Sequence, residues 1–442
     1  MAKKTAENTS KTSSLVDDLI NQQFTEMKDL SKEDNSVKNW IDSGNYALNY
    51  VSSKNFNGAY PMHQISFFAG KSGVGKSMLP AIAAKDEKID RVLIFDSEGE
   101  GAGTGSSLFE FVGAPVEKVR YVGVKTLDCY KIRKADGKIE GVSEKEMPDK
   151  LNTDTFEYHR GLISYLKKII YALEYNNSEE ETLIIIDSLS NMCSSRQLSG
   201  TSDMAFTGQL LNQLFSALDV SLEKAKVTIL MSIKTYTDVN NPYNTDGILK
   251  GGESVIYNPS LGLVMSQLQD NPELSEAELS KEKEQRKTGL GNSIKTIRVK
   301  VKKSRFGTEG RNAWVILDAT YGLTRNSGLF QLLLDFGVCV KNGARYSIPG
   351  IFVNEKGEDI SFYKKEFPEI FSKNEKEYIE KLQKVMDIKE EDIRKKRLNL
   401  NVNDADEARE EIEDEDVNTF DMARAMEAER EQSQSEEWNF FS

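Results

Sequence analysis

The sequence predicts an α/β protein built on a mainly parallel central sheet with helices on both faces. Three observations carry that expectation. Apolar runs of strand length, at residues 65–69, 92–95, 182–186 and 227–233, alternate with stretches of helical period. The run at 92–95 is followed by Asp96 and the run at 182–186 by Asp187, while the run at 65–69 enters a glycine-rich octapeptide. Strands joined through helices pair in parallel, and such sheets gather ligands at their carboxyl ends.

The octapeptide is Gly70-Lys71-Ser72-Gly73-Val74-Gly75-Lys76-Ser77. It fits G-x-x-x-x-G-K-[ST], in which glycines let backbone N–H groups turn inward around a phosphate at the start of a helix. In that role Lys76 reaches the β/γ-phosphates of ATP and Ser77 ligates Mg²⁺. A helix is expected from about 75 to 86, and Pro80 falls where early amides face the phosphates.

Composition narrows the rest. At 442 residues the chain can hold one large core with appendages, or two to three domains. No apolar run approaches the ~20 residues that cross a bilayer, and the first residues lack a signal peptide's apolar stretch, so the expectation is a cytoplasmic protein without a membrane partner. The three cysteines, Cys129, Cys193 and Cys339, and two histidines, His63 and His159, show no zinc spacing, and the cysteines are expected as reduced, mostly buried thiols. The net charge of −13 sits almost wholly in residues 403–442, which carry 15 acidic residues against Arg409, Arg424 and Arg430. The body is near neutrality, which leaves a nucleic-acid partner open.

In chain order, residues 1–37 read as a flexible start followed by a short helix, with Leu15, Ile20, Phe24, Met27 and Leu30 on one face. It packs on its own domain or docks on a neighbouring copy. A core spans 38–326. Within it, Asp96-Ser97-Glu98-Gly99 ends the second strong strand, and Leu183 to Ser188 is an apolar run closed by Asp187, the form that orients Mg²⁺. An aspartate that merely caps the next turn is the plain alternative. Residues 125–155 read as a surface excursion, 156–175 as an amphipathic helix, and 205–225 as another. Two polar stretches, about 194–206 and 236–258, leave the same sheet edge, and loops of that length tend to be functional. Ile294–Val301 alternates with period two and ends in Lys302-Lys303-Ser304-Arg305; with Ala313–Leu317 it suggests antiparallel strands at the sheet edge. Residues 327–402 form a small C-terminal α/β region, and 403–442 an acidic disordered tail ending in Trp438-Asn439-Phe440-Phe441-Ser442.

The ordered set of Gly70–Ser77, Asp96-Ser97-Glu98, Ile186-Asp187-Ser188 and Lys303-Ser304-Arg305 resembles the RecA-type strand-exchange recombinases, most of all those of tailed bacteriophages. The resemblance covers about residues 38–340. It implies a RecA-like P-loop NTPase core and a DNA-dependent ATPase that forms filaments on single-stranded DNA and pairs it with duplex. Glu98 is implied as the base that activates water. Lys302, Lys303 or Arg305 are implied to reach the ATP of the adjacent filament protomer, although a solvated strand end accounts equally well for any one of them. Tyr321 stands where the family packs an aromatic on adenine, a position where core packing is the commoner role of a tyrosine. Arg196, Lys250, Gly251 and Gly252 belong to the implied DNA loops. Implied partners are single- and double-stranded DNA, other copies of the chain, and single-strand-binding and mediator proteins.

One departure is Lys234, where the family pattern has a Gln or His sensing the γ-phosphate; a lysine contacts phosphate as a point charge. Two rivals remain at this point: a hexameric helicase-like motor on the same core, and an ATP-gated scaffold or mediator without productive turnover.

Overall fold

The computed structural model describes residues 39–98, 105–201, 204–218, 222–236, 247–250, 253–268, 270, 294–318 and 322–399. The expectations for 1–37 and 403–442 lie outside the described residues. The chain divides into two compact units, Met1–Ser327 and Gly328–Ser442.

The strands of the first unit are, in order, β1 (Trp40–Ile41), β2 (Tyr60–Pro61), β3 (Ile65–Gly70), β4 (Arg91–Asp96), β5 (Val119–Gly123), β6 (Tyr130–Arg133), β7 (Ile139–Gly141), β8 (Phe156–His159), β9 (Thr182–Asp187), β10 (Val227–Tyr236), β11 (Ile248–Leu249), β12 (Leu261–Gln267), β13 (Ile294–Ser304), β14 (Asn312–Asp318) and β15 (Gly322–Leu323). One ten-stranded sheet runs β15-β14-β13-β12-β3-β10-β9-β4-β5, with β11 paired to β10. From β12 through β3, β10, β9 and β4 to β5 every pairing is parallel. From β12 to β15 every pairing is antiparallel, as the alternation at 294–301 suggests.

Successive side chains of a strand point to opposite faces, so a strand buried at every position is covered on both. All six residues of β3 are buried, as are the first five of β9 and the first seven of β10. On one face Ile65, Phe67, Ile184, Ile186, Ile229 and Met231 share a core with Leu162, Leu166, Leu211, Leu214 and Phe215. The last five come from the helices Leu162–Tyr175 and Met204–Leu218. On the other face Phe68 meets Tyr60 edge to face, with ring centroids 5.2 Å apart. Burying each such side chain contributes roughly 1.5–3 kcal/mol.

The structure corrects several element boundaries. The helix after the octapeptide is Met78–Ala83, shorter than 75–86, because residues 71–77 form the loop itself. Pro80 falls in its first turn, where N–H groups have no intrahelical acceptor, and Ala84 N still donates to Pro80 O at 3.3 Å. The stretch 156–175 is strand β8 followed by the helix Leu162–Tyr175. Gly161 marks the break: a Cβ there would lie 2.4 Å from the Asp128 backbone. The polar excursion is a three-stranded antiparallel sheet, β7-β6-β8. The helix expected at 205–225 is Met204–Leu218. A helix not anticipated within residues 37–64, Tyr46–Ser53, is capped by Asn45, whose Oδ1 accepts from Leu48 N at 2.8 Å.

The second unit holds the helix Leu329–Asp335, the hairpin of β16 (Val340–Asn342) and β17 (Arg345–Ser347), and the helices Phe367–Lys373 and Glu375–Asn399. Phe330, Tyr346, Phe352, Phe362, Phe367, Phe371 and Tyr378 form a linked aromatic cluster at its centre.

Candidate functional site

Register brings the sequence candidates to one edge. Gly70 lies opposite Lys234 on one side and Met265 on the other. Asp187 lies opposite Asp96, and Met231 pairs with Ile186, which sets Ser232 beside Asp187. The carboxyl ends of β3, β10, β9 and β4 therefore present the octapeptide, Lys234, Asp187 and Asp96-Ser97-Glu98 together.

The octapeptide forms a loop whose crest, Lys71, Ser72 and Gly73, is exposed while Val74 is buried. Glycine is required at its far end: Gly75 has φ +91°, and a Cβ there would lie 2.3 Å from Leu317 Cδ1. A Cβ on Gly70 would lie 2.5 Å from the Met265 carbonyl oxygen. Lys76 is 8% exposed, and its Nζ donates to the Lys71 carbonyl at 2.6 Å. Burial lowers its pKa, opposed by the negative charges of Asp187 and Glu98 and reinforced by Lys234. Ser77 occupies the N-cap position of the next helix, and its side chain makes no capping hydrogen bond. Lys295, at the start of β13, donates from Nζ to the Gly73 carbonyl at 2.9 Å.

Across from the loop, Asp187 Oδ1 accepts a hydrogen bond from Ser232 Oγ. The Asp187–Ser188 peptide is cis. Ser97 ties the two acidic strand ends together: its N–H donates to Asp187 O at 2.9 Å, its hydroxyl donates to Ser188 O at 2.7 Å, and Ser188 N donates to its Oγ at 3.0 Å. Glu98 N donates to Asp96 Oδ1 at 2.7 Å, and Tyr121 OH donates to Asp96 Oδ2 at 3.0 Å. Asp96 is thus spent on shaping the turn, whereas Glu98 projects its carboxylate. Glu98 Oε1 accepts from Asn191 Nδ2 at 2.7 Å and pairs with Lys234 Nζ at 2.8 Å. Lys234 is placed in turn by its own N–H, which donates to Ser190 Oγ at 2.7 Å.

A carboxylate, a buried ammonium, a loop of backbone donors and an aspartate–serine pair of hard oxygens are a donor set suited to a polyphosphate and Mg²⁺. Of Asp187's oxygens, Oδ1 is held by Ser232, which aims the carboxylate. Beyond Glu98, a cavity of about 380 Å³ opens between the strand ends and β6–β8, lined by Lys125, Tyr130, Tyr158, His159 and Arg160.

The other candidates lie elsewhere. Lys303 pairs with Gly262 and Ser304 with Leu261, at the amino end of β12. Eight residues of strand separate Lys303 from Lys295, about 26 Å at the usual rise, so Lys302, Lys303 and Arg305 stand at the end of β13 remote from their own loop. Arg305 is fastened there by its N–H to Ser260 O at 2.9 Å and its guanidinium to Asn258 O at 3.1 Å. Arg196, on the short helix Ser195–Leu198, stacks on Phe206 at 4.0 Å. Lys250 is exposed just beyond β11, and its N–H donates to Lys234 O at 3.2 Å. Tyr321, Gly251 and Gly252 lie outside the described residues, as do residues 202–203 and 237–246 of the two polar stretches.

Sequence reasoning missed Asn191, Ser232 and Lys295. Asn191 and Ser232 each stand within five residues of a singled-out position, but only strand order shows that they meet Glu98 and Asp187. Lys295 sits in a period-two strand with no local signal.

No family model and no curated protein matches the chain.

Proposed function

We propose that this chain is an ATP-dependent recombination protein with a RecA-like core, which assembles on single-stranded DNA, pairs it with homologous duplex and hydrolyses ATP in a DNA-stimulated way. The observation that carries the reading is the register that sets the phosphate loop, Asp187 and Glu98 on one sheet edge. That edge supplies what phosphoryl transfer needs: a cradle, a metal ligand and a water-positioning carboxylate.

In this reading residues 70–77 wrap the phosphates and Lys76 moves from the Lys71 carbonyl onto the β/γ-phosphates. Ser77 and Asp187 would hold Mg²⁺, which when bound neutralises charge on the phosphate oxygens. Glu98 orients the attacking water and takes its proton. Asn191 holds that carboxylate in place, and Lys234 pairs with it in the resting chain. Lys302, Lys303 and Arg305, too far along β13 to serve their own loop, supply cations to the nucleotide of a second copy, which makes hydrolysis depend on assembly. Arg196 and Lys250 flank the two DNA loops. Lys250 is joined through Lys234 to Glu98, a short path by which DNA contact reaches the water-activating group.

The Lys234–Glu98 ion pair also favours one alternative, an ATP-gated scaffold in which a neutralised carboxylate leaves turnover negligible. The deciding experiment measures phosphate release from ATP with and without single-stranded DNA and images the same mixtures by negative-stain electron microscopy. Strong DNA stimulation with helical filaments is the expected result. Nucleotide binding without turnover selects the scaffold, and closed rings select the helicase-like motor.

A further inference from the structure

Lys295 and Gly73 are 222 residues apart, yet Lys295 Nζ lies 2.9 Å from the Gly73 carbonyl oxygen. The sheet explains the meeting. Lys295 pairs with Leu317 across β13 and β14, and the Leu317 side chain lies over Gly75. The start of β13 and the carboxyl end of β14 thus form one wall of the phosphate loop.

A planar trans peptide sets its C=O and the following N–H on opposite sides. An ammonium that holds the Gly73 oxygen therefore fixes the direction of the Val74 N–H, turning it away from Lys295. Gly73 has φ +80° and no Cβ, so its own side chain cannot resist a flip of this peptide. From outside the loop, Lys295 supplies such a restraint.

We infer that Lys295 is a positioning residue of the phosphate loop: it holds the Gly73–Val74 peptide so that the Val74 amide donates to the terminal phosphates of a nucleoside di- or triphosphate. Lys76 acts on the phosphates directly; Lys295 acts through the backbone. The inference rests on the nucleotide reading given above.

The test uses the full chain and fluorescently labelled ATP and ADP at one salt concentration. Lys295→Met, which keeps the length and loses the charge, is expected to weaken both nucleotides about tenfold, the size of one charge-assisted hydrogen bond. Lys295→Arg, which can still donate to Gly73 O, is expected to stay within about threefold of the parent. With turnover measured, Lys295→Met raises KM and leaves kcat unchanged, a split that general unfolding does not produce. If the parent binds ATP, Lys76→Ala does not and Lys295→Met binds as the parent does, the inference is overturned and the nucleotide reading stands. Equal losses in Lys295→Met and Lys295→Arg overturn it too. If the parent binds neither nucleotide, the nucleotide reading itself fails and takes this inference with it.

Discussion

Lys234 Nζ lies 2.8 Å from Glu98 Oε1, joining the strand that leads into one polar loop to the carboxylate that the proposed function assigns to water activation. Both side chains are more than a third exposed, 36% for Lys234 and 46% for Glu98. Such pairs are worth at most about 1 kcal/mol, so an arriving phosphate or a shift of β10 can break this one. Lys234→Ala is expected to raise phosphate release without DNA by roughly two- to fivefold, the rate equivalent of that energy. The ratio of DNA-stimulated to basal release falls accordingly. Unchanged basal release would show that the pair does not restrain Glu98.

Glu98→Gln keeps the Asn191 contact and removes the base that the proposed function requires. Phosphate release is expected to fall by about 10²- to 10⁴-fold, the usual contribution of a general base, while ATP affinity holds within a few-fold. Single-turnover release and nucleotide titration on the same preparation check both halves. Turnover at the parent rate would remove Glu98 from the chemistry.

The legible part of this site is the part written contiguously. The octapeptide is a local motif, and Asp187 and Glu98 follow apolar runs whose burial alone sets their strand ends at the sheet's edge. The β13–β14 pairing was legible from period-two alternation, since Ile297, Val299 and Val301 all turn inward. What stayed hidden depends on strand order. Ser232 meets Asp187 because β10 inserts between β9 and β3, and Lys295 reaches Gly73 because β13 lies two strands from the loop. The β6–β8 sheet was unreadable for another reason: its strands have only three or four residues with mixed burial, too short to show a period.

Gly75 tests the loop's backbone. Its φ of +91° disfavours any side chain, and a Cβ would strike Leu317 Cδ1. Gly75→Ala is expected to lower stability by roughly 1–3 kcal/mol and to abolish tight nucleotide binding. Denaturant titration measures the first and labelled ATP the second. Leu317→Ala alone opens the space without relieving the dihedral, so the double variant is expected to recover only part of the stability.

Cys339 gives the second unit an alkaline limit. The side chain is 3% exposed, and burial pushes its thiol from the ordinary 9.0 up to about 11. The folded chain therefore keeps a proton that the unfolded chain releases first. The sign follows from linkage: this contribution to stability is complete below pH 9 and is lost as pH rises through about 11. Burial raises the Cys129 and Cys193 thiols as well, so all three act in the same direction. Melting temperature measured from pH 8 to 11 should fall steadily for the parent chain. Cys339→Ala leaves a small cavity and lowers stability at neutral pH by about 1 kcal/mol, but its alkaline decline should be shallower. Parallel declines for the two proteins would mean that the thiol keeps its ordinary pKa on folding. At pH 8 the same burial predicts slow reaction of Cys339 with a thiol-specific alkylating reagent in the native chain and rapid reaction once the chain is denatured.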